Sequence, residues 1–143
     1  MKIEPYLFFD GQAEEAMAFY EKALGAQREA AMRWGDCPDP IPPECLPPGG
    51  PQKIMHGSLL IQGQRLMLSD GVPTESGGFR GFSLTLQYET QDQAQTAFER
   101  LSQDGRVTMP LGPTFFSPCY GMLQDRFGVN WMVMLVPECS PET

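Results

Sequence analysis

The segment Gln12-Ala-Glu-Glu-Ala-Met-Ala-Phe-Tyr-Glu-Lys-Ala-Leu-Gly25 returns in altered form as Gln91-Asp-Gln-Ala-Gln-Thr-Ala-Phe-Glu-Arg-Leu-Ser-Gln-Asp-Gly105. At an offset of 78 residues, Ala16, Tyr20, Glu21 and Lys22 meet Ala94, Phe98, Glu99 and Arg100. Each copy follows a short apolar run and leads toward a Gly-turned pair of strands. A unit duplicated in so short a chain implies two half-sheets closing on each other, with their common cleft as the natural binding site. The expected fold is α+β: two tandem βαβββ modules forming a curved mixed sheet around a central cavity, with the helices outside.

The first module is expected over residues 1–75 and the second over 76–137, with a tail at 138–143; together they make one structural domain. Pro5 to Asp10 reads as a strand. Ala13, Ala16, Met17, Tyr20 and Leu24 then recur at helical spacing, with Glu14 and Glu15 in the first turn, Lys22 in the last and Gly25 as the stop. Arg28 to Trp34 suggests a second strand. Seven of the fourteen prolines lie between Pro38 and Pro51, so the insert 36–53 is expected outside helix and central sheet, as a surface loop or as a lid. Ile54–Ile61 and Gln64–Ser69 flank Gln62-Gly63 as a hairpin. In the second module, Gly81 to Tyr88 alternates as a strand, with Phe82, Leu84 and Leu86 on one face. Helix follows over 91–103. A strand interrupted by Pro110 and Pro113 is expected over 106–109 and 114–116, then a second hairpin over 120–136.

Composition removes several classes of function. The formal net charge of −8, with only ten Lys and Arg spread thinly, argues against a nucleic-acid partner. The longest apolar run, Trp131 to Val136, has strand length, so no membrane partner is expected. The N-terminus runs from one Lys into Ile3-Glu4-Pro5-Tyr6 without a signal-peptide pattern, which points to the cytoplasm. Cys37, Cys45, Cys119 and Cys139 contain no C-x-x-C pair and are expected as free thiols.

Pro5-Tyr-x-x-Phe, Ala-Phe-Tyr20, Leu66-Met-Leu-Ser-Asp70, the Gly81-Phe82 strand and Asp125-x-Phe-Gly-Val-x-Trp-Met132 resemble the glyoxalase/bleomycin-resistance/dioxygenase superfamily, also called vicinal oxygen chelate. Within it they resemble the PhnB-like subgroup, which also carries a demethylubiquinone methyltransferase label. The resemblance covers essentially the whole chain. It implies a hollow in which metal-dependent members place His, Gln or Glu ligands from four strands on a divalent ion. Carried over, those positions fall near Pro5, at Met67, at Met132 and among Ser83 and Thr85, none a carboxylate or an imidazole. No cofactor is therefore expected, with a divalent metal in an atypical place as the alternative. The methyltransferase label finds no Gly-rich cradle, since Asp10-Gly11-Gln12 has one Gly and no G-x-G occurs.

Candidate site residues follow from chemistry. His56, the only histidine, is the candidate acid, base or anchor, because imidazole gains and loses a proton near neutrality; the alternative is backbone hydrogen bonding. Asp70 is its candidate partner across the hairpin or, in the alternative, a turn residue before Gly71 that accepts backbone N–H bonds. Tyr6 and Ser69 offer hydroxyls. Trp34, Met67, Phe82, Phe116, Tyr120 and Trp131 are candidate lining for an apolar pocket, against the plainer role of core. The expected function is binding of a small, partly apolar molecule without the superfamily metal. The alternative is an enzyme using His56 with Asp70, or an atypical metal, and a homodimer suits both.

Overall fold

The computed structural model describes residues 1–71 and 78–136, which belong to two compact units, 1–77 and 78–143. The boundary expected near residue 75, the tail at 138–143 and Cys139 lie outside the described residues. In the first unit the order is β1 (Tyr6–Phe8), α1 (Ala13–Leu24), β2 (Gln27–Arg33), β3 (Ile54–Ile61) and β4 (Gln64–Ser69). In the second it is β5 (Leu84–Tyr88), α2 (Gln91–Leu101), β6 (Arg106–Gly112), β7 (Tyr120–Gln124) and β8 (Asn130–Leu135). The sheets run β1-β4-β3-β2 and β5-β8-β7-β6, each with one parallel pair and two antiparallel pairs. The architecture is α+β, two open four-stranded mixed sheets, each with its helix on the outside.

Both helices follow from their sequences. α1 buries Ala16, Met17, Phe19 and Tyr20, and Gly25 closes it at φ 66°, a left-handed conformation that suits glycine. α2 buries Ala94, Ala97, Phe98 and Leu101, and the Thr90 hydroxyl accepts a hydrogen bond from the Gln93 N–H as its cap. A glycine on the middle strand of each sheet lets the helix approach. A Cβ at Gly57 would lie 2.9 Å from Met17 Sδ and from a Leu68 methyl, and one at Gly121 would lie 2.8 Å from the Phe98 ring.

Two of the four outer strands, β2 and β6, carry the same irregularity. Arg28 faces Leu59 while Ala30 faces Ser58, so Glu29 is an extra residue; likewise Val107 faces Leu123 while Met109 faces Met122, so Thr108 is extra. At the second hairpin, one Asp125 oxygen accepts the Phe127 and Val129 N–H groups at 2.9 and 3.0 Å. The other accepts Trp131 Nε1–H at 2.9 Å.

Two expectations about local structure are corrected, and a third gains detail. β6 continues through Pro110, which is tolerated because β6 is an outer strand and its register shifts between Met109 and Gly112. Thr114 to Phe116 is not strand: the Thr114 hydroxyl accepts the Phe116 and Ser117 N–H groups and turns the chain. The Pro-rich insert contains single 3₁₀ turns at Trp34–Asp36, Pro43–Cys45 and Gly50–Gln52. The latter two begin with proline near their start, where a missing N–H removes no internal bond.

The glycines differ in what they confront. Gly57→Ala presses only on flexible side-chain ends, whereas a Cβ at Gly121 also lies 3.1 Å from the Leu111 backbone nitrogen. Urea unfolding is expected to show Gly121→Ala destabilised by about 1–3 kcal/mol and Gly57→Ala by less.

Candidate functional site

Alternation along the first sheet separates two faces. Leu7, Gly57, Leu59, Leu66 and Leu68 are buried on the α1 side. Tyr6, Phe8, Met32, His56, Ser58, Met67 and Ser69 take the other face. Tyr6 stands beside Met67, Met67 beside Ser58, Phe8 beside Ser69, and His56 beside Met32. The rings of Tyr6 and Phe8 stack with centroids 5.0 Å apart, and Tyr6 lies 5.7 Å from the His56 ring.

The polar centre of this face is a hydrogen bond of 2.9 Å between the Tyr6 hydroxyl and His56 Nδ1. It fixes the ring's orientation and leaves Nε2 directed away from Tyr6. The two possible tautomers make Nε2 either a donor or an acceptor. Burial raises the Tyr6 phenol above its usual range, and a hydrogen bond with Ser69 works in the opposite direction. The phenol is therefore neutral at physiological pH.

Toward one end of the face, Arg65 reaches Glu29 at 2.8 Å through two nitrogens and Glu4 at 3.1 Å. The Ser58 hydroxyl donates to Glu29 at 2.5 Å. Arg65 first, then Ser58, lowers the Glu29 carboxyl to about 2. The bulge in β2 makes this possible, because Glu29 is the extra residue between Arg28 and Ala30.

Asp70 does not join His56. Its side chain is fully buried, with one oxygen accepting the Ala13 N–H at 2.9 Å and the other the Ile54 N–H at 3.1 Å. Those two bonds cap α1, which has no side-chain cap of its own at Gln12, and fix the start of β3. The Asp70 carbonyl accepts Trp34 Nε1–H at 3.0 Å, so Trp34 anchors the insert instead of lining the Tyr6–His56 face. Lys53 Nζ donates to the Gly11 carbonyl at 2.8 Å, and Arg33 pairs with Glu14 at 2.6 Å, closing the same end of the unit.

In the second unit, Trp131 is 2% exposed and alternates with Val133 on the α2 side. It belongs to that unit's core, bound to Asp125. Phe82 lies before β5 and is half-exposed, with an edge-to-face contact to Phe79 at 6.4 Å. Phe116 packs edge-on against the buried Tyr120 at 4.8 Å. Among the first-unit candidates, Tyr6, His56, Met67 and Ser69 thus share one face, while Asp70 and Trp34 form its support. Met32, a methionine of the kind expected to make such a pocket pliable, belongs to that face too. Phe8 and the Glu4–Arg65–Glu29 cluster belong to it without having been singled out; only the alternation of Tyr6 with Phe8 pointed there.

The positions at which the superfamily resemblance would place metal ligands hold Met67 next to Tyr6 and Met132 next to Thr85. Among the described residues, no three His, Cys, Asp or Glu gather into a potential metal-binding group. Thioethers and neutral hydroxyls do not fit the hard or borderline divalent ions that such sites take. Also among the described residues, no helix is long and apolar enough to cross a membrane.

Comparison with known proteins adds relatives. The family model described as Glyoxalase/Bleomycin resistance protein/Dioxygenase superfamily matches residues 2–133. The chain is 30% identical over 143 residues to Protein YjdN of Escherichia coli, covering 96% of this chain and 97% of that one. Protein PA1353 from Pseudomonas aeruginosa superposes with a TM-score of 0.83 at 39% identity, over 95% of this chain and 98% of its own. A Bacillus cereus structure described as a putative 3-demethylubiquinone-9 3-methyltransferase, PhnB protein, superposes at 0.78 with 33% identity, over 95% and 100%.

Two outcomes check these assignments. Asp70→Ala leaves two buried N–H groups without partners and is expected to cost about 2–4 kcal/mol in urea unfolding. Glu29 is depressed in the folded state, so its contribution is complete above its ordinary value of 4.5 and disappears as pH falls toward about 2. Acid unfolding curves of Glu29→Gln and the parent chain should therefore converge toward pH 2 and separate above pH 4.5.

Proposed function

Starting from a chain that belongs to the glyoxalase/bleomycin resistance protein/dioxygenase superfamily, we propose that it binds a small, partly apolar molecule on the open face of its first sheet. The PhnB-like relative from Bacillus cereus places it in the PhnB-like part of that family. The observation that carries the proposal is the Tyr6–His56 hydrogen bond, set among Phe8, Met32 and Met67. Aromatic and thioether groups offer a pliable apolar surface, and one oriented imidazole nitrogen offers a directional bond. The ligand class is accordingly a ring or chain with an apolar body and one hydrogen-bonding atom. The methyltransferase activity in the Bacillus cereus protein's description is not included, for this chain has no Gly-rich cofactor turn.

A second reading, as an enzyme, is favoured by one observation: Tyr6 holds His56 at Nδ1 alone, leaving Nε2 for proton exchange with a bound molecule. Asp70 has no part in it, because backbone N–H groups occupy both its oxygens. Cytoplasmic residence and a two-fold dimer complete the proposal. The outer strands β2 and β6 support the dimer, and light scattering on the purified chain tests it.

Mass spectrometry of small molecules released from the native protein tests the main reading. A stoichiometric compound is expected with the parent chain, absent from His56→Ala and bound about tenfold more weakly by Tyr6→Phe. Where nothing co-purifies, 8-anilinonaphthalene-1-sulfonate fluorescence serves as the probe. Equal binding by His56→Ala and the parent would overturn the reading.

A further inference from the structure

Met109, Met122 and Met132 lie side by side on three adjacent strands of the second sheet: Met109 faces Met122 on β6 and β7, and Met122 faces Met132 on β7 and β8. Thr85 completes the row on β5, its hydroxyl 3.8 Å from Met132 Sδ. Met134 follows two residues along β8. The row lies on the face away from α2, since the alternating residues Gly121, Leu123, Trp131 and Val133 are buried on the helix side.

The fold alone does not demand this row. The outer strands β2 and β6 carry a bulge at the corresponding place, so each member of this row has a counterpart in the first sheet. There the row is Tyr6, Met67, Ser58 and Ala30, with one thioether instead of three. The bulge at Thr108 also determines the donor, because it puts Met109 opposite Met122 in place of a threonine.

We propose that Met109, Met122 and Met132 form a binding site for a soft monovalent cation, of which Cu(I) and Ag(I) are the chemical types. Thioether sulfur is a soft, neutral donor that selects such ions over Zn²⁺, Mg²⁺ or Ca²⁺. Paired side chains on neighbouring strands stand about 5 Å apart at Cβ, and methionine's three rotatable bonds let their sulfurs converge on one ion. Three neutral sulfurs leave the cation's charge uncompensated at the site, a condition the chain's net charge of −8 favours at longer range. The row belongs to the second unit, and the proposal does not depend on the function proposed for the Tyr6–His56 face of the first.

Ag(I) is the probe, titrated into the full chain carrying ¹³C-labelled methionine methyl groups. The four cysteines take silver as thiolates, so the titration continues beyond four equivalents and is read at each methyl separately. The methyl signals of Met109, Met122 and Met132 are expected to shift together, saturating at one further equivalent, while Met1 stays in place. Met122→Leu conserves volume and is expected to abolish the shifts at Met109 and Met132 with the melting temperature held within a few degrees. Methyl signals that do not move once the thiols are saturated would overturn the proposal and leave the row a purely apolar floor. Shifts surviving at Met109 and Met132 in Met122→Leu would overturn it too, because they would show independent sulfurs.

Discussion

The first unit depends on the way a single carboxylate is satisfied. Asp70 sits at the end of β4 with no exposed surface, and its two oxygens hold backbone groups from the start of α1 and the start of β3. A buried carboxylate without such partners would be strongly disfavoured; with them it joins three chain segments at one point. Its carbonyl extends the junction to Trp34, and through Trp34 to the insert. Ser69, its immediate neighbour, pairs with Phe8, whose ring stacks on that of Tyr6. The geometry of the Tyr6–His56 pair thus rests on a residue that does not touch it.

The two units share more than an order of elements. Each has a glycine where its helix meets the middle of its sheet and one extra residue in an outer strand. These features are backbone requirements, and both copies keep them while the exposed rows have diverged. In the first unit the extra residue is Glu29, which draws Arg65 and Ser58 into a charged cluster. In the second it is Thr108, and the neighbouring positions are thioethers. One backbone plan therefore carries two unlike chemical surfaces.

Much of this was legible in the sequence. The helices announce themselves through spacing and end residues, and Gln62-Gly63 announces the hairpin. Gly25 stops its helix because a left-handed conformation is needed there. The path of β6 through Pro110 was not legible, since whether a strand lies at a sheet edge is a property of the assembled sheet. The site was legible only in part. His56 stands out as the lone histidine, but its partner is 50 residues away in sequence, and Asp70, a plausible partner by proximity in the hairpin, is claimed by backbone. Trp131 shows the same limit: alternation places it on one of two faces, and only packing against α2 tells which.

The sequence has two tryptophans, and the fold assigns one to each unit. Trp34 is half-buried and gives its indole N–H to a backbone carbonyl, while Trp131 is almost wholly enclosed and gives its own to a carboxylate. Indole fluorescence responds to polarity and hydrogen bonding, so the halves of this duplicated chain carry distinguishable optical labels. Replacing either indole by phenylalanine would make the remaining emission report on one half alone, so that the cooperativity of the halves becomes directly visible.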